Sequence, residues 1–149
     1  MPRKLPTHIQ EQVRERAHRL CEYCHTNERW QYVRFTMDHL IAVTAGGSDS
    51  LDNLALACFF CNRRRSFRQT ATDSETGDEV LLFNPRKDRW ADHFIWSADG
   101  LRIVPLTATG RATATLLAFN RERVLLIREA DIAVRRHPPE DDPIQKRNS

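Results

Sequence analysis

Four cysteines, arranged as Cys21-Glu22-Tyr23-Cys24 and Cys58-Phe59-Phe60-Cys61, constrain this chain more than any other feature. A two-residue gap lets both sulfurs of a pair reach one metal ion. Four thiolates at about 2.3 Å in a tetrahedron make a closed structural zinc site. Thirty-three residues separate the pairs, more than a compact zinc ribbon needs, so something folded must stand between them. The alternatives are redox chemistry and unrelated buried cysteines. A single pair would leave redox a serious rival; two pairs favour zinc. A zinc deaminase is disfavoured, because its H-x-E pattern with a following P-C-x-x-C is absent.

Length and composition set the frame. A chain of 149 residues fits one domain, or one domain with an appendage, and can bury a core without help from crosslinks. With 40% hydrophobic and 29% charged residues it reads as an ordinary globular chain, not a wholly disordered one. The longest apolar run, Leu54 to Phe60, is seven residues, and a membrane span needs about twenty. The first residues lack the apolar region of a secretory signal, so a cytoplasmic location is expected. The net charge is +3, but residues 1–68 carry +4 and residues 69–149 carry −1. Twenty of the 23 basic residues are arginine, which suits bidentate phosphate contacts, although a GC-rich genome gives the same bias. This is weak support for a nucleic-acid partner.

Periodicity outlines the elements. Thr7 is a candidate N-cap with Gln10 three residues on, and Ile9, Val13, Ala17 and Leu20 recur at helical spacing, so a helix is predicted over 7–19. Residues 30–43 are rich in β-branched and aromatic types and predict one or two strands; residues 44–49 read as a loop. Residues 51–60 read as mostly helical, continuing towards Arg68. Residues 69–78 read as a connection, and 80–83 as a strand. Two β-rich runs, 93–97 and 101–104, flank Asp99-Gly100 and suggest a hairpin. Two helices are expected over 110–119 and 121–135, with a disordered tail over 138–149.

Between and just after the cysteines stand Asp38-His39, Asn53 and Asn62, with thirteen residues from His39 to Asn53 and eight from Asn53 to Asn62. With Gly46-Gly47, Ser50-x2-Asn53-Leu54 and Asn62-x2-Arg65, this pattern resembles the HNH endonuclease family over about residues 17–66. The third motif position is Asn62 rather than His. The resemblance implies an α+β fold: a ββα-metal (HNH, treble-clef-like) finger with structural zinc over 1–68. A β-hairpin and two-helix extension over 69–137 would pack on it. It implies a general base at His39, a divalent-metal ligand at Asp38, a residue holding the base and its loop at Asn53, and a second metal ligand at Asn62. It also implies double-stranded DNA as substrate, Mg²⁺ or Mn²⁺ as catalytic cofactor, 5′-phosphate and 3′-hydroxyl ends, and a monomer or homodimer.

These residue types make chemical sense by themselves. Histidine as a type titrates near neutrality and can take a proton from water. A carboxylate and an amide oxygen are hard ligands suited to Mg²⁺ or Mn²⁺, which acts as a Lewis acid on a phosphate. Adjacent strand residues point to opposite faces, so Asp38 and His39 share a site only where the strand ends or twists. Arg65, three residues after Asn62 on one helix face, is the candidate phosphate contact; Arg63, Arg64 and Arg68 are candidate backbone contacts or a solvated basic face. His25 beside the zinc knuckle reads as a surface residue or groove lining, and His8 and His18 as solvated helix positions. His93 among Trp90, Phe94 and Trp96 reads first as core. The second half has no catalytic signature of its own. The stretch around Phe83-Asn84-Pro85-Arg86 and Thr107-x-Thr109-Gly110-Arg111 resembles the extension of some small bacterial HNH proteins, with Arg86, Lys87, Arg89 and Arg111 as a possible phosphate surface. The competing readings are a catalytically inactive zinc-containing DNA- or RNA-binding module and a redox thiol protein.

Overall fold

The structure, a computed structural model, describes residues 4–139 and residue 142. The chain divides into two compact units. The first runs to Phe67 and takes in Asn84–Lys87; the second holds Arg68–Phe83 and the chain from Asp88 onwards.

In the first unit, helix α1 (Thr7–Arg16) begins one residue earlier than a Thr7 cap would place it. Pro6 is the N-cap, and its carbonyl accepts from the Ile9 and Gln10 amides at 3.1 Å. Gln10 donates to the Leu5 carbonyl instead of closing a capping box. The Leu20 bridge to Asn27 opens the first cysteine turn. Strand β1 (Thr36–His39) pairs antiparallel with β2 (Leu54–Ala57), with Asp38 opposite Ala55 and His39 opposite Leu54. Helix α2 (Phe59–Arg65) follows at once.

The strand β2 corrects the helical reading of 51–60. Leu51–Asn53 coils as one 3-10 turn, Leu54–Ala57 is the strand with all four residues buried, and the expected helix begins only at Phe59. A strand covered on both faces shows no alternation, so a short apolar run cannot be told from a buried helix by its pattern. Leu54, Leu56, Val13 and Tyr23 are fully buried and form much of this unit's core. The Glu22 amide donates to the Leu56 carbonyl at 2.8 Å, and the Leu56 amide to the Glu22 carboxylate at 2.7 Å, which ties the first cysteine turn to β2.

The second unit contains two hairpins, β3 (Thr70–Thr72) with β4 (Glu79–Leu81), and β5 (Phe94–Trp96) with β6 (Ile103–Pro105). Strand β3 lies in the stretch expected to be a connection; its exposed, polar neighbours hide it. A short helix α3 (Trp90–His93) precedes β5, and helices α4 (Ala108–Leu116) and α5 (Glu122–Ala133) complete the unit. His93 is half-buried at the edge of this core, edge-on to Phe83 at 5.9 Å and bonded through Nδ1 to Thr107 at 2.6 Å. Of the stretch expected to be a disordered tail, Asp142 is buried and accepts from the Trp96 indole at 2.9 Å. Residues 140–141 and 143–149 lie outside the described residues. No helix among the described residues is long and apolar enough to cross a membrane.

Candidate active site and metal centre

The four cysteine sulfurs lie within 4.8 Å of one another and all four residues are buried. None is in a disulfide. Two backbone devices build the cluster. In the first pair the chain reverses tightly, with the His25 amide donating to the Cys21 carbonyl at 2.9 Å and His25 in the left-handed region at φ 58°. In the second, Cys58 is the N-cap of α2, and its sulfur accepts from the Cys61 amide at 3.4 Å. Burial pushes the Cys21 thiol up, while hydrogen bonds from the neighbouring thiols hold Cys24 down. Four sulfur donors converging in a dry pocket are the donor set of structural zinc, which replaces their protons on binding. His25 is buried in this turn and not on the surface.

A cleft of about 550 Å³ opens beside β1 and α2, walled by Asp38, His39, Asn62, Arg63, Phe67 and the 42–44 turn. His39 ends β1, half-buried, with Nε2 2.9 Å from the Asp49 carboxylate. Asn62 projects from α2, its amide nitrogen donating to Thr36 Oγ1 at 3.0 Å, which leaves its carbonyl oxygen as the potential ligand atom.

Asn53 explains how the loop after His39 is held. Its side-chain oxygen accepts from the Ile41 amide at 2.9 Å, and its nitrogen donates to the Ile41 and Ser48 carbonyls at 3.0 and 2.8 Å. Its own carbonyl accepts from the Leu40 amide at 2.9 Å. The turn at Gly46-Gly47 makes this closure possible. Gly46 takes φ 90°, and a Cβ on Gly47 would lie 1.8 Å from the Ile41 carbonyl oxygen. The first glycine supplies a left-handed turn and the second a close backbone approach.

Arg65 is found elsewhere than expected, and Asp38 meets the cleft with its carboxylate already bonded. Asp38 is buried but still lines the same cleft as His39, at the end of β1. Its carboxylate accepts from Tyr23 at 2.7 Å and from Arg65 Nη1 at 3.2 and 3.1 Å. Burial pushes the Asp38 carboxyl up, and Arg65 beside it pulls it back. Both carboxylate oxygens are thus engaged by protein donors. Arg65 is only 3% exposed and also donates to the Leu40 carbonyl at 2.8 Å, so it is no surface phosphate contact. The i, i+3 spacing from Asn62 is real, but Arg65 reaches beneath β1 while Asn62 reaches the cleft.

Arg63 and Arg64 are exposed on α2, and Arg63 packs its guanidinium over the Phe59 ring at 5.3 Å. Arg68 is exposed in the second unit. Arg86 is ion-paired with Glu22, and Arg111 with Asp73 at 2.8 and 2.9 Å, so neither extends a phosphate surface in this state. Asp49 was missed by sequence reasoning: an aspartate among glycines and serines reads as a turn residue, and nothing in its spacing ties it to His39.

A family model described as HNH endonuclease matches residues 21–68. No curated protein and no solved structure matches the chain. The matched residues enclose both cysteine pairs, the cleft histidine and the two asparagines, so the likeness to the HNH endonuclease family covers the metal centre and the cleft together.

Proposed function

We propose that this protein is an HNH endonuclease that hydrolyses DNA phosphodiester bonds on a ββα-metal, treble-clef-like finger held by zinc. One observation carries the reading: a single cleft gathers His39, Asn62 and the exposed Arg63 inside the residues that match the family model. His39 takes a proton from a water molecule, whose oxygen attacks phosphorus while the bond to the 3′ oxygen breaks. The departing oxygen gains a proton, leaving 3′-hydroxyl and 5′-phosphate ends. Arg63, beside the cleft and already stacked on Phe59, supplies positive charge to the phosphate. Bound Mg²⁺ or Mn²⁺ would supply Lewis-acid stabilisation of the phosphate. The cleft would offer such an ion the Asn62 oxygen and the Asp38 carboxylate, which also accepts from Arg65 and Tyr23.

The engagement of Asp38 favours one second reading, a catalytically inactive zinc module that binds DNA or RNA. Supercoiled plasmid incubated with the zinc-loaded protein, with Mg²⁺, Mn²⁺ or no added ion, separates the two. Ion-dependent nicked or linear DNA, lost in His39→Ala at unchanged zinc content, is the expected result. Absence of cleavage with every ion, together with salt-sensitive DNA retention, establishes the binding module instead.

A further inference from the structure

Asp49 belongs to neither the zinc centre nor the roles proposed above, yet its carboxylate lies 2.9 Å from His39 Nε2. We propose that Asp49 is a positioning residue that fixes the tautomer and orientation of His39, an inference that rests on the reading of His39 as general base. An ionised carboxylate only accepts hydrogen bonds. The proton between the two groups therefore sits on Nε2, and Nδ1 keeps the lone pair that takes a proton from water.

The loop is built to hold this pair. Asn53 donates to the carbonyl of Ser48, the residue before Asp49, at 2.8 Å. The Asn53 carbonyl accepts from the amide of Leu40, the residue after His39, at 2.9 Å. One asparagine thus anchors the chain next to both members of the pair, which span ten residues of sequence. Asn53 acts on the base through two backbone anchors, and Asp49 makes the direct contact. A carboxylate behind an imidazole is a general means of setting which ring nitrogen is basic.

The test uses the full chain, zinc-loaded, with supercoiled plasmid and Mn²⁺, beside long-range ¹H–¹⁵N spectra of the imidazoles. The His39 signals are assigned by their loss in His39→Ala. Asp49→Ala should lower the maximal nicking rate about ten- to a hundred-fold, with little change in the DNA concentration at half-saturation. It should also turn His39 from the Nε2–H form to a mixture of tautomers. Asp49→Asn, whose amide oxygen still accepts, should restore the Nε2–H form and part of the rate. Wild-type turnover in Asp49→Ala overturns the inference. So does a slowed Asp49→Ala whose His39 tautomer is unchanged, since a purely structural role predicts that outcome. If His39→Ala itself cleaves normally, the general-base reading fails, and the spectra still report whether Asp49 sets the tautomer.

Discussion

Arg65 Nη1 lies 3.2 and 3.1 Å from the two oxygens of Asp38, and both side chains are almost wholly buried. The pair joins α2 to β1, and Tyr23 adds a third bond from the first cysteine turn. Burial pushes the Tyr23 hydroxyl well up, so it stays a donor. An ion pair of this kind is costly to form but more costly to break from one side.

Arg65→Met should therefore destabilise the zinc-loaded protein by about 3–5 kcal/mol in urea unfolding. A solvated phosphate contact at this position would cost less than about 0.5 kcal/mol and weaken DNA retention instead. The pH dependence has a definite sign. The Asp38 carboxyl is raised by burial, so its contribution to stability is greatest below the unfolded carboxylate value and is lost as pH rises through the folded one. Removing Arg65, which opposes that rise, enlarges the effect. The deficit of Arg65→Met should be greatest at neutral pH and shrink as pH falls towards about 3.9.

Asn53→Ala should leave the Ile41 amide and the Ile41 and Ser48 carbonyls without this partner. Unsatisfied buried groups cost about 1–3 kcal/mol each, less where water reaches them. Hydrogen exchange should quicken at Ile41 in the variant, and plasmid nicking should fall with it. Gly47→Ala should be comparably damaging, since its methyl group meets the backbone of Ile41 and not a movable side chain.

Removal of zinc should unfold the first unit. The protein is expected to hold one zinc per chain, and chelation should expose all four thiols to a thiol reagent together. Loss of the metal with unchanged circular dichroism and unchanged amide exchange in residues 20–61 would contradict a structural centre. An intact Cys21–Cys24 or Cys58–Cys61 disulfide in purified protein would favour the redox alternative.

In the second unit, the Arg111 guanidinium holds the Asp73 carboxyl well below the usual carboxylate range. The contribution of a depressed carboxylate is present above its unfolded pKa and lost as pH falls through the folded one. Asp73→Asn should lower the melting temperature by a constant amount from neutral pH down to about pH 4.5. The gap to wild type should then close at lower pH. A gap that widens in acid would contradict the assignment.

What the sequence by itself determined is set by local spacing. Two C-x2-C pairs can bring sulfurs together over a few bonds, and the cluster of all four is what the spacing predicts. The hairpin around Asp99-Gly100 and the two helices after it follow from turn chemistry and periodicity, which are local too. The Gly46-Gly47 turn and its tie to Asn53 were visible as a motif, although the physical need for a bare Gly47 appears only when Ile41 is set against it.

Tertiary structure decided what each polar side chain faces. Buried on both sides, β2 lost the alternation that would have marked it as a strand. Pairing with β2 buries Asp38 and leaves His39 half-buried, so two adjacent residues that line one cleft differ in what they are bonded to and in their access to water. Arg65 found its counter-ion twenty-seven residues away in sequence, and His39 found Asp49 ten residues away. No period or propensity encodes such partners. They follow from strand pairing and helix placement, which bring charged groups together where water is excluded and an unpaired charge is too costly to leave.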